Sequence, residues 1–158
     1  MSQIEARPKH LFSWGFDLHT QHGPLATMDM SWLREGGSFE WQGAAYTLGR
    51  ESWLVGDFLL QSQGKTVARA VKENSFLRKF QVQIGARDLV LKAASPFGRP
   101  FILMEDACVI GNISPHHPFT RSSAIELPDD LQVPVQVFLF WLVALMWKRA
   151  ANNAAGAT

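Results

Sequence analysis

One segment constrains what this chain can fold into. Val133 to Trp147 reads Val-Pro-Val-Gln-Val-Phe-Leu-Phe-Trp-Leu-Val-Ala-Leu-Met-Trp, with Gln136 as its single polar residue and Lys148-Arg149 behind it. On a helical wheel Val137, Phe140, Trp141 and Ala144 cover one side, and Phe138, Leu142 and Leu145 cover the other. A helix that is apolar all round is either enclosed in a core or crosses a membrane. The pattern predicts a helix from about Val133 to Arg149. Pro134 then falls in the first turn, where its missing N–H does no harm, and Lys148 and Arg149 fall in the last turn, where cations suit the dipole. At ~1.5 Å per residue the apolar run is about 22 Å long, against roughly 30 Å for a bilayer core. Length therefore favours a buried helix, with Val137, Phe138, Phe140, Trp141, Leu142 and Leu145 as core residues. A membrane tether through this helix is the competing reading.

The rest of the chain offers something to enclose it. Period-two alternation is the signature of half-buried strands. It covers Phe12, Trp14, Phe16 and Leu18, then Ala26, Met28, Met30 and Trp32. Phe39 and Trp41 lead through Gln42-Gly43 to Tyr46 and Leu48, which reads as a hairpin. Leu54, Phe58 and Leu60 end at Gln63-Gly64, and Val67 and Val71 mark a more polar strand. Phe76, Phe80, Val82 and Ile84 precede the turn Gly85 to Asp88, and Leu89, Leu91 and Ala93 follow it. Phe101–Met104 and Val109–Ile113 flank a turn at Glu105-Asp106, and Phe119–Leu127 is the last strand candidate. Turn signals recur roughly every ten residues, as in an all-β sandwich or barrel. The fold expected is mainly β: a closed antiparallel β barrel around the hydrophobic C-terminal helix. Residues 1–8 read as a flexible lead-in, 9–150 as one domain, and 151–158 as a small, polar, disordered tail.

A chain of 158 residues suits one domain and buries enough surface to fold without a metal or disulfide. With 47% hydrophobic and 18% charged residues, it is globular rather than disordered. A net charge of +1 gives no warrant for nucleic acid as a partner through overall charge. Cys108 is the only cysteine, so no intramolecular disulfide forms and no disulfide-linked partner is expected; a reducing, cytoplasmic setting is the expectation. Residues 1–10 are polar and mixed in charge, unlike a secretory signal.

Three features bear on this layout: the late strand Val109-Ile110-Gly111-Asn112-Ile113, the stretch from Phe119-Thr120-Arg121 to Ile125-Glu126-Leu127-Pro128, and the helix from Val137 to Arg149. The segment Phe76-Leu77-Arg78-Lys79-Phe80 adds a basic-aromatic strand. Together they resemble the tubby-like superfamily, which includes tubby C-terminal domains, phospholipid scramblases and plant LURP-one-related proteins. The resemblance implies a closed barrel around a C-terminal helix. The chain departs from the family in lacking the tubby phosphoinositide-binding lysine motif. Asp129-Asp130 alone lacks the oxygen-rich spacing of a calcium loop.

Candidate chemistry is sparse. His19 and His22 bracket a turn near Asp17, and His116-His117 lie in another; neither has helical i, i+4 spacing, and solvent-facing turn histidines explain both better than zinc or iron does. Cys108 lies in an apolar strand without a basic neighbour and is expected to be buried and inert. No serine elbow, phosphate-binding glycine loop or zinc-protease helix occurs, so neither an enzyme nor a cofactor is expected. Lys65, Arg69, Lys72, Arg78, Lys79, Arg87 and Lys92 face only Glu73 and Asp88 in the same stretch. On adjacent strands Lys72, Arg78, Lys79, Arg87 and Lys92 would share one face and attract anionic phospholipid; the plainer reading is a solvated sheet face with edge lysines. The function expected is a non-enzymatic, monomeric binding module, cytoplasmic or peripheral at the inner membrane surface. A protein-interaction or structural domain with a protein partner is the alternative.

Overall fold

The computed structural model describes residues 2–10, 14–30, 36–51, 57–74 and 77–156. Twelve strands precede one helix: β1 (Ser2–Pro8), β2 (Phe16–Thr20), β3 (Gly23–Met30), β4 (Gly37–Trp41), β5 (Ala44–Arg50), β6 (Asp57–Ser62), β7 (Lys65–Lys72), β8 (Lys79–Ile84), β9 (Arg87–Ala93), β10 (Phe101–Glu105), β11 (Cys108–Pro115), β12 (Ser123–Leu127) and α1 (Val133–Gly156). Each strand pairs antiparallel with its sequence neighbour, and β1 closes the barrel on β12 through Ser2↔Leu127 to Ala6↔Ser123. The expected closed antiparallel barrel with its C-terminal helix is thus present. The expected strand residues Phe12, Trp32, Leu54 and Phe76 lie outside the described residues.

The barrel is filled by the helix. Eight strands leave a lumen that their own side chains fill, and lumen width grows with strand number. Twelve make room for a helix about 10–12 Å across. Val137 to Leu145 are buried on every side of α1, including all six residues singled out from the sequence. Strand positions facing them combine large and small side chains. Phe16 meets Phe140 edge-on at 4.9 Å, and Phe58 meets Trp141 edge-on at 5.7 Å. Ala6, Ala68 and Ala70 line the wall between such aromatics. At Gly37 an added Cβ would lie 2.5 Å from the Asp29 carbonyl and 3.4 Å from the Trp141 indole nitrogen. The lumen has no space there for a larger residue.

Burial, not length, separates core helix from membrane span. The helix has 24 residues and a mean hydropathy of 1.3 over its most apolar window, long and apolar enough to cross a bilayer. The shorter length inferred from the apolar run is corrected. Yet 83% of that window is buried inside the barrel.

Five further expectations are corrected. Residues 2–8 are not a loose lead-in but the closing strand, with Ile4 and Ala6 inward. The tail is helical to Gly156, because Ala150, Ala151, Ala154 and Ala155 are strong helix formers. As a result the last turn contains no basic residue, and Lys148 and Arg149 sit further inside the helix. Trp14 and Phe119 precede their strands, which begin at Phe16 and Ser123. Cys108 is exposed rather than buried, because β11 starts at the barrel's end, directly after the turn at Asp106-Ala107.

A cationic, phenylalanine-tipped rim as candidate site

An up-and-down barrel sorts its connections alternately to two ends. At one end the turns are short: Gln42-Gly43, Gln63-Gly64, Gly85-Ala86 and Asp106-Ala107 each join two strands. Positive φ at both residues of three of these turns (48° and 77°, 51° and 75°, 49° and 65°) marks type I′ geometry, which matches strand twist. The chain also enters α1 at this end. At the other end lie the longer connections, among them 94–100 and 116–122, and α1 finishes there.

This sorting separates charge along the barrel axis. Among the described residues, the short-turn end holds Glu40, Asp88, Glu105, Asp106, Asp129 and Asp130 against Lys65 and Arg87. The long-loop end holds Lys72, Arg78, Lys79, Lys92, Arg99 and Arg121, with Arg149 on the helix. Among the described residues, four carboxylates near this end have partners: Asp29 pairs with Lys9, Glu51 and Asp57 with Arg69 at 2.7 and 2.6 Å, and Glu73 with Lys79 at 3.4 Å.

Of the five cations expected to share a face, four meet at the long-loop end. Lys79 and Lys92 stand opposite each other across the β8–β9 pair. Lys72 lies in phase with the inward Ala70, at the barrel mouth; burial and then the Arg149 charge push its pKa down. Arg78 donates to the carbonyl oxygens of Gly98 (2.6 Å), Ser95 (2.8 Å) and Pro96 (2.8 Å), and lies over the Phe101 ring. It organises the 94–100 loop. Arg87 is separated from the other four. It begins β9 at the short-turn end, bonded to Glu105 at 2.8 and 2.9 Å and to Asp130 at 3.0 Å. Those bonds raise its pKa and lower that of Glu105.

Sequence reasoning missed Arg99 and Arg121. Arg99 lies 4.8 Å above the Trp147 ring and donates to the Pro118 carbonyl at 2.8 Å. Arg121 lies 5.1 Å above the Trp14 ring and donates to the His10 carbonyl at 3.0 Å. Burial, and then the neighbouring Arg121 charge, depresses the Arg99 pKa; burial depresses that of Arg121. Two cations thus approach each other where charge is disfavoured. Phe97 and Phe119 flank them, 100% and 96% exposed, and Leu77 beside Arg78 is 48% exposed. A groove of about 650 Å³ runs between the two phenylalanine loops and the end of α1. The repeated aromatic-x-Arg spelling, Phe97-Gly98-Arg99 and Phe119-Thr120-Arg121, was the signal available in the sequence.

The histidines offer less. His19 and His22 line a polar groove with Glu5, Arg7 and Asp129, and the His116 ring contacts Glu5 at 2.5 Å. Among the described residues no three His, Cys, Asp or Glu side chains are grouped to hold a metal ion. No family model matches the chain, and no curated protein or solved structure matches it.

Proposed function

We propose that this protein is a non-enzymatic binding module of the tubby- and scramblase-like kind that binds anionic phospholipid at a membrane surface, as a cytoplasmic protein peripheral to the inner leaflet. The observation that carries this reading is the separation of charge along the barrel axis. A net charge of +1 conceals a basic rim and an acidic opposite end. Arg78 and Arg99 bond only to carbonyl oxygens and lie over aromatic rings, with no carboxylate partner among the described residues. A surface of this kind attracts anionic lipid at about 1 kcal/mol per cation near the membrane. A barrel closed around its own C-terminal helix is also the layout on which the family resemblance rests.

Flotation with phosphatidylcholine vesicles, with and without phosphatidylserine, tests the proposal. Binding is expected only with phosphatidylserine, and it should fall steeply from low to physiological salt. Lys79→Glu with Lys92→Glu should weaken it by at least about tenfold, while Arg78 is left in place because it holds its loop. Equal binding to neutral vesicles, or none to anionic ones, rules the reading out.

A further inference from the structure

We propose that the barrel meets the membrane end-on through its long-loop rim, with Phe97 and Phe119 entering the headgroup layer and Arg78 and Arg99 behind them facing the lipid phosphates. The inference rests on the anionic-lipid reading above and adds to it an orientation and a depth.

An exposed apolar residue standing alone needs no explanation. Here two phenyl rings stand almost entirely in water, on successive connections of the same barrel end, each two positions before an arginine. Their loops are held in place. Arg78 holds three carbonyls of the 94–100 loop, and the Gly98 amide bonds the Ser95 hydroxyl at 3.0 Å. The Thr120 amide bonds the His117 carbonyl at 3.2 Å, and the Phe119 amide reaches the His117 ring at 3.3 Å. Arg99 joins the two loops through the Pro118 carbonyl. Both rings are therefore presented on ordered turns, so little conformational entropy is lost on contact. Arginine close behind an exposed aromatic matches the order of a bilayer interface, with apolar rings beyond the cationic heads. The opposite end presents polar two-residue turns beside Asp88, Asp106 and Asp130, which an anionic surface repels.

Cys108, the sole cysteine, supplies the control. It is exposed, and its hairpin lies at the short-turn end. A polarity-sensitive dye is placed on native Cys108, and separately on Phe97→Cys and Phe119→Cys in a Cys108→Ser background. The full-length proteins are mixed with phosphatidylcholine–phosphatidylserine vesicles. The inference expects blue-shifted emission, quenched by brominated lipid, from the dyes at 97 and 119 and no change from the dye at 108. Phe97→Ser with Phe119→Ser should weaken flotation by about tenfold or more with thermal unfolding unchanged, since neither ring is packed. If the unlabelled protein floats while the dyes at 97 and 119 stay in water, or the dye at 108 responds, end-on docking is overturned and lipid binding stands. If the unlabelled protein does not float, both fall together.

Discussion

Trp147 donates its indole N–H to the carbonyl oxygen of Arg99 at 2.9 Å, while the Arg99 guanidinium lies 4.8 Å above the same indole ring. This reciprocal contact fastens the end of the buried helix to the loop that carries Phe97. Trp141, deeper in the same helix, is the contrast: its indole N–H is buried with no hydrogen-bond partner among the described residues. Trp147→Phe discards a bond that exists and should destabilise by about 1–2 kcal/mol. Trp141→Phe discards an unsatisfied donor, which offsets the small cavity it leaves, so the net change should stay within about 1 kcal/mol. Urea unfolding of the two variants measures the difference; a costlier Trp141→Phe would contradict the account.

The helix is the barrel's core and not a detachable tail. Leu142→Ala should cost about 2–5 kcal/mol through its cavity. Phe140→Asp should prevent folding, because it buries a charge without a partner. Deleting residues 130–158 exposes every inward strand face and should leave an aggregating chain. A soluble truncation ending at Pro128, with a sharp thermal transition, would disprove the enclosed-helix architecture.

At the β10–β11 turn, Asp106 and Ala107 both have positive φ, 49° and 65°. Left-handed backbone costs an alanine roughly 1–2 kcal/mol, and glycine avoids this at a smaller entropic loss. Ala107→Gly should therefore stabilise by about 0.5–1 kcal/mol and raise Tm by about 2 °C. Calorimetry decides; a lower Tm would mean that the turn is not strained.

The hydrogen bond from Arg87 holds the Glu105 carboxyl below its ordinary value of 4.5. The folded-state pKa is the lower one, so the stabilisation is fully present above about pH 4.5 and is lost as pH falls through the folded value. Glu51, Glu73 and Asp129 shift in the same direction. Tm should be level near neutrality and decline below pH 4.5. Glu105→Gln should lower Tm at pH 7 and shallow the acid decline. All four carboxyls are solvent-facing, so added salt should shrink the effect.

Much of the fold was legible in the sequence. The inward residues Phe16, Leu18, Phe58, Leu60, Phe80, Val82, Leu89 and Leu91 are those that period two selects, because alternate strand residues must face one side. The closing strand β1 escaped notice because only Ile4 and Ala6 face inward along it, too few for a periodic signal. The helix end escaped because its last two turns are exposed and alanine-rich, so no apolar stripe marks them. Cys108 was misjudged because an apolar strand end projecting past the core looks the same in sequence as one beside it.

The candidate site was less legible. The sequence could group Lys72, Arg78, Lys79, Arg87 and Lys92 only by their nearness along the chain. The antiparallel meander divides that group, carrying Arg87 to Glu105 and Asp130 at one end and the other four to the opposite end. It also brings Arg99, Arg121, Phe97 and Phe119 to the end of α1. The sequence by itself determined a strand-rich chain with one enclosed helix, because hydrophobic periodicity is local and acts within each element. Only the tertiary structure decided that the excess of bases and the two exposed phenylalanines fall at one end and the excess of acids at the other, because strand direction, which alternates with each turn, sets the end on which a residue falls.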